Sequence, residues 1–149
     1  MNLLNKLSNK KKSEKIENYF DFYLNSQISN MKILISNLST LRRRDQKRLR
    51  IETIRLILIE LDRIDYLYCA FINDLNKSKI NNPSNQTQIF LMEQKKKSLR
   101  QDFESLYKSF KRTALGLEDI PMKSILRKML LVFQFNEQKS ITSQNVSSF

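Results

Sequence analysis

From Leu41 to Leu75 the chain runs without a glycine or a proline, and its apolar residues recur at steps of three and four. Such spacing gathers side chains on one side of a 3.6-residue helix. Ile51, Ile54, Leu58, Leu61, Ile64, Tyr68, Phe71 or Ile72, and Leu75 form a continuous stripe, and Ile57, Ile59 and Leu67 widen it beyond one face. A helix apolar over so much of its circumference must be covered on several sides. The pattern predicts either the central helix of a bundle or a helix buried against another chain. Leu56 and Ile59 fall away from the main stripe, which points to a protein partner.

Similar patterns flank this segment. Between Glu14 and Leu38, Ile16, Tyr19, Phe20, Tyr23, Leu24, Ile28, Met31 and Leu34 or Ile35 mark a first helix, with Ser39-Thr40 as its break. Asn81, Asn82, Pro83, Ser84 and Asn85 form a loop, since Pro83 disfavours helix at Asn82. A third helix is expected from Thr87 to Leu115, with Ile89, Met92 (or Phe90), Lys96, Leu99, Phe103, Leu106, Phe110 and Ala114 on one side. Lys96 on that stripe must snorkel or sit at the end of the bundle. Gly116 suits the left-handed position after a helix, and Pro121 extends the break. Beyond it, Ile125, Met129 and Val132 or Phe133 fit a short fourth helix, while the run Leu130 to Phe135 fits a strand equally well.

The expected fold is mainly α, a bundle of three to four long helices with a short C-terminal helix or a rudimentary β segment. The expected organisation is a basic N-terminus over 1–13, the bundle over 14–116, a short C-terminal element over 117–139 and a polar tail over 140–149.

Composition removes many chemistries. One glycine cannot build a P-loop or a dinucleotide-binding turn. With no histidine and only Cys69 as a thiol, the usual zinc sites, Cys-His or Ser-His nucleophile pairs and an internal disulfide are excluded. No cofactor and no small-molecule substrate are expected. Met1 to Lys15 lacks the apolar segment of a secretory signal, and no apolar stretch approaches the roughly 20 residues that span a bilayer.

The net charge is +12, in a composition dominated by Lys, Asn and Ile that bears the mark of AT-rich codons. That bias weakens charge alone as a sign of nucleic-acid binding. The charge is also uneven: residues 1–50 carry 12 basic and 4 acidic groups, whereas 51–80 carry 4 and 5. Arg42, Arg43, Arg44, Lys47 and Arg48, together with Lys95, Lys96 and Lys97, are the candidates for nucleic-acid contact, set against a plain solvated charged face. Asp62 and Asp65, one turn apart, are the only paired carboxylates worth weighing for acid–base work. Ion pairing with Arg63 or a neighbouring helix is the simpler account, so no catalysis is expected. Cys69 is expected to act as a small apolar side chain.

Glu60-Leu61-Asp62-Arg63-Ile64-Asp65-Tyr66-Leu67 reproduces an E-L-D-R-I-x-Y-L pattern, followed by Phe71, Ile72 and Lys79-Ile80. A polar loop comes next, then Leu99, Phe103, Leu106, Phe110, Ala114-Leu115 and Ile120-Pro121, then Met122, Leu126 and Leu130 to Phe133. This order resembles a subunit of the GINS complex, the four-subunit scaffold of the eukaryotic replicative helicase, of the subunit-4 type. The likeness covers roughly 30–135. It departs where the family has arginines and this chain has Asp65, Cys69 and Asn73, and only 28 residues follow Pro121, too few for a complete β domain of that type.

The resemblance implies a non-catalytic nuclear protein in DNA replication, partnered by the other GINS subunits and the MCM helicase ring, with DNA nearby. The partner interface expected on it is Leu56, Ile59, Glu60, Asp62, Arg63, Tyr66 and Leu67. The alternative is a basic helical nucleic-acid binder, such as an organellar ribosome or nucleoid component, placed in an organelle matrix.

Overall fold

The computed structural model describes residues 22–133. The expectations for 1–21 and 134–149, including the basic N-terminus and the polar tail, lie outside the described residues. Within them the chain forms four helices: α1 over 22–40, α2 over Lys47–Asn81, α3 over Gln86–Ala114 and α4 over 122–133. A single 3-10 turn, Arg44–Gln46, leads into α2.

Each helix ends for a local reason. The Thr40 hydroxyl donates to the Asn37 carbonyl at 2.8 Å, diverting an acceptor in the last turn of α1. At the start of α3 the Asn85 side chain accepts from the Gln88 N–H, satisfying one of the first-turn donors. After α3, Gly116 takes a φ of 85°, a conformation costly for any residue with a Cβ.

Two contacts fix the direction of α1. Lys95 Nζ donates to Asn25 Oδ1 at 3.1 Å, and Arg42 Nη2 donates to the Thr113 carbonyl at 2.9 Å. The start of α1 thus lies beside the first half of α3, and its end beside the end of α3, so the two run parallel. The short loop over 82–85 makes α2 and α3 antiparallel, with Lys79 and Glu93 paired near the turn. The Lys79 hydrogen bond holds the Glu93 carboxyl below its ordinary range. Helix α4 follows α2: Asp119 meets Arg50 just before α4 begins, and Lys128 meets Asp62 at 2.8 Å farther along. The arrangement is an up-down-up-down bundle.

One apolar core joins all four helices. Leu24, Ile28, Met31, Ile35 and Leu38 of α1 meet Ile54, Ile57, Leu61, Ile64, Tyr68 and Ile72 of α2. Helix α3 adds Leu99, Phe103, Leu106, Phe110 and Ala114, and α4 adds Ile125, Met129, Val132 and Phe133. At its centre the Phe103 ring meets Tyr68 edge-on at 5.0 Å and stacks on Phe133 at 4.6 Å. Both distances suit attractive aromatic pairs.

Three expectations are corrected. Helix α2 begins at Lys47 and extends to Asn81, because the run from Leu41 to Gln46 has no apolar face to bury and forms the inter-helix turn instead. Ile54, Leu61, Ile64, Tyr68, Ile72 and Leu75 of the predicted stripe are buried, but Ile51 is half exposed and Leu58 only half-buried, and Ile57 is fully buried in their place. Tyr23 lies off the α1 core and is exposed. Of the two alternatives for the C-terminal element, the helix is the one found: the segment up to Phe133 is helical and there is no strand among the described residues, with Ile125, Met129, Val132 and Phe133 buried while Leu130 and Leu131 are exposed. Lys96 is half-buried, in keeping with a snorkelling stem.

Arg50, a core position on α2, ties the ends of the helices together. Its Nε and Nη2 donate to Asp119 Oδ2 at 3.0 and 2.7 Å, and its Nη1 donates to the carbonyls of Leu41 and Arg43 at 2.8 and 2.5 Å. The two side chains are only 7% and 17% exposed. Arg50 holds the Asp119 carboxyl below its ordinary value of 3.8. A depressed carboxyl stabilises the fold above the unfolded-state pKa and stops doing so as pH falls through the folded-state value. Arg50→Met should therefore lower the unfolding free energy by about 3–5 kcal/mol, since it strands a carboxylate and two carbonyls. Asp119→Asn should be milder, about 1–3 kcal/mol at neutral pH. Chemical denaturation from pH 7 downward should show the gap between wild type and Asp119→Asn narrowing below about pH 4.

Candidate docking face on the central helix

The residues of the Glu60–Leu67 block divide between core and surface with the helical period. Leu61 and Ile64 are fully buried. Ile59, Asp62, Arg63, Tyr66 and Leu67 line a shallow open groove, closed on one side by Gln27 of α1. Tyr66 is 75% exposed, with Leu56 and Ile59 near 40%. Large apolar side chains this open on a bundle helix are candidates for contact with another surface.

Polar partners frame the groove. Arg63 Nη1 donates to Glu60 Oε1 at 2.9 Å, and Asp62 is bridged by Lys128 from α4. Glu60 itself is 8% exposed, and its Oε2 is buried with no hydrogen-bond partner among the described residues. The Oε1 atom of Gln27, across the groove, is buried in the same condition. Glu60 is thus corrected from an interface contact to a buried anchor that orients Arg63.

The other sequence candidates are placed elsewhere. Asp62 and Asp65 do not converge: one pairs with Lys128, while the other accepts the Cys69 thiol at 3.7 Å. Cys69 is half-buried and so carries a polar contact beyond the apolar role expected of it. No group of three or more metal-ligating side chains is found among the described residues, and no described helix is long and apolar enough to cross a membrane. Arg42, Arg43, Arg44, Lys47 and Arg48 stand at the α1–α2 turn. Lys95, Lys96 and Lys97 sit well along α3 from that end, opposite Asn25, so the two basic clusters are separate. Gln27 of the groove was missed by sequence reasoning, because nothing in an α1 pattern of apolar steps marks a polar residue between Leu24 and Ile28.

No family model, no curated protein and no solved structure matches this chain.

The Glu60–Arg63 pair can be isolated by a double-mutant cycle. Arg63→Ala leaves a buried carboxylate without its donor and should cost about 1–3 kcal/mol in denaturant unfolding. Glu60→Gln in the same chain should recover most of that loss, because the charge that needed pairing is gone.

Proposed function

We propose that this chain is a non-catalytic scaffold subunit that joins a larger protein assembly through the outer face of α2. The carrying observation is the exposure of Tyr66 and Ile59 along a groove on the outer side of α2, with Leu56 exposed one turn before Ile59, while the opposite side of the helix is committed to the core. Tyrosine and arginine are among the residue types that dominate binding energy at protein interfaces, and Tyr66 and Arg63 both line this groove. The charge pattern supports the same surface. Over residues 51–80 the chain carries 5 acidic and 4 basic groups, so the self-repulsion of a chain with a net charge of +12 is weak there.

The specific form of the proposal is a GINS-like subunit acting in the nucleus, with sister subunits and the MCM ring as partners. It rests on the resemblance of the Glu60–Leu67 block, whose surface members are the groove residues.

Affinity capture of the tagged chain from its native cells tests this. The scaffold reading expects three other small subunits in equal amounts. Ile59→Ser with Tyr66→Ser should abolish that recovery, and Tyr66→Ser alone, at a position 75% exposed, should weaken it while changing stability by no more than about 0.5 kcal/mol. Unchanged recovery from the double variant would exclude this face, and recovery of ribosomal proteins instead would exclude the GINS-like form.

A further inference from the structure

Basic residues far apart in sequence meet at one end of the bundle. The α1–α2 turn supplies Arg44, Lys47 and Arg48, the last turn of α3 supplies Lys111 and Arg112, and the first turn of α4 supplies Lys123. Arg42 spans two of these segments by donating to the Thr113 carbonyl at 2.9 Å. Arg50 joins the third through Asp119, which also lies within the field of Lys47. The topology, rather than any sequence run, makes the cluster.

Its acidic neighbours are mostly engaged. Asp45 pairs with Arg43 at 3.3 Å and Asp119 with the buried Arg50, which leaves Glu118 as the exposed carboxylate of the connecting loop. Arg44, Arg48, Lys111, Arg112 and Lys123 have no ion pair among the described residues. Codon bias toward AT enriches lysine, yet arginine is frequent at this end: Arg44, Arg48 and Arg112 are exposed here, beside Arg42, Arg43 and Arg50, which are engaged with Thr113, Asp45 and Asp119. Guanidinium groups present a planar fork of donors that matches phosphate oxygens. The loop that carries them is already fixed, because Arg50 Nη1 holds the carbonyls of Leu41 and Arg43. Less ordering is then required on binding.

We infer that this end of the bundle binds the phosphate backbone of duplex nucleic acid without reading its sequence. The aromatic side chains that are exposed among the described residues, Phe22, Tyr23, Tyr66 and Phe90, lie on other parts of the bundle, so no platform for stacking unpaired bases accompanies the cations. The apolar side chains exposed near the cluster are dispersed. Leu49 and Ile51 point about 160° apart on α2, and Leu115 follows the last turn of α3, so they share no one helix face that would insert in a membrane or form the core of a protein interface. This site is independent of the α2 docking face.

Fluorescence anisotropy of the full chain with labelled duplex DNA, duplex RNA and single strands, over a salt series, tests it. Micromolar or tighter duplex binding at physiological salt is expected, weakening steeply with salt as each neutralised phosphate releases counterions. The triple variant Arg44→Gln, Arg48→Gln, Arg112→Gln should bind at least tenfold more weakly, with a log–log salt slope shallower by about three. The charge-matched variant Lys95→Gln, Lys96→Gln, Lys97→Gln should bind within about twofold of wild type. Preference for either duplex over single strands supports the site, and the two duplex arms show which is favoured. Absence of duplex binding, equal losses in the two triple variants, preference for single strands, or preference for phosphatidylserine vesicles over duplex would overturn it.

Discussion

The four-helix arrangement depends at one end on a single guanidinium. Arg50 occupies a core position on α2, where an apolar residue would continue the stripe, and spends its donors on two separate stretches of chain. A buried arginine is tolerated only when its charge is paired and its donors are met. Those requirements make the α1–α2 turn and the α3–α4 connection mutually dependent, because each supplies part of what Arg50 needs. The direction of α4 and the placement of the Arg42–Arg48 turn follow from one local electrostatic demand.

The core makes a second constraint on α2. Its buried stripe, from Ile54 to Leu75, is covered by the chain's own α1, α3 and α4, and Ile57 and Leu67 of the broad apolar girdle are drawn into that coverage wholly or in part. What the bundle does not cover is narrower than the sequence pattern suggested: Leu56, Ile59 and Tyr66 on the outer side, with Ile51 near the start of the helix. Exposed apolar residues also occur at the far end, at Ile80, Phe90 and Leu91. Phe90 also lines a groove, with Ile89 and Glu93, so the outer α2 side is distinguished by the Gln27 and Arg63 walls of its groove and by the near balance of charge over residues 51–80.

Local signals were legible where a helix had both a clear apolar period and a cap. Helix α3, expected over Thr87–Leu115 and found over Gln86–Ala114, has Asn85 before it and Gly116 after it. The start of α2 was not legible, because a run of charged residues has no period and the role of Arg50 depends on Asp119, 69 residues away. The choice of Ile57 over Leu58 depends on how neighbouring helices pack, which spacing within one helix does not specify. The run from Leu130 to Phe133 was ambiguous because periodicity alone does not separate a short strand from a short helix. The stacking of Phe133 on Phe103 belongs to the helical solution. The groove residues on α2 were named from sequence, whereas the joining of Lys111, Arg112 and Lys123 to the Arg42–Arg48 turn required the topology.

The docking proposal is tested most directly by placing a photo-activatable side chain at position 66, whose native tyrosine is 75% exposed, and irradiating intact cells. The account predicts one discrete protein adduct of defined mass, absent when the same group is placed at exposed position 104 on α3. A chain that emerges without any adduct from position 66, or with the same scatter of adducts from both positions, would contradict it.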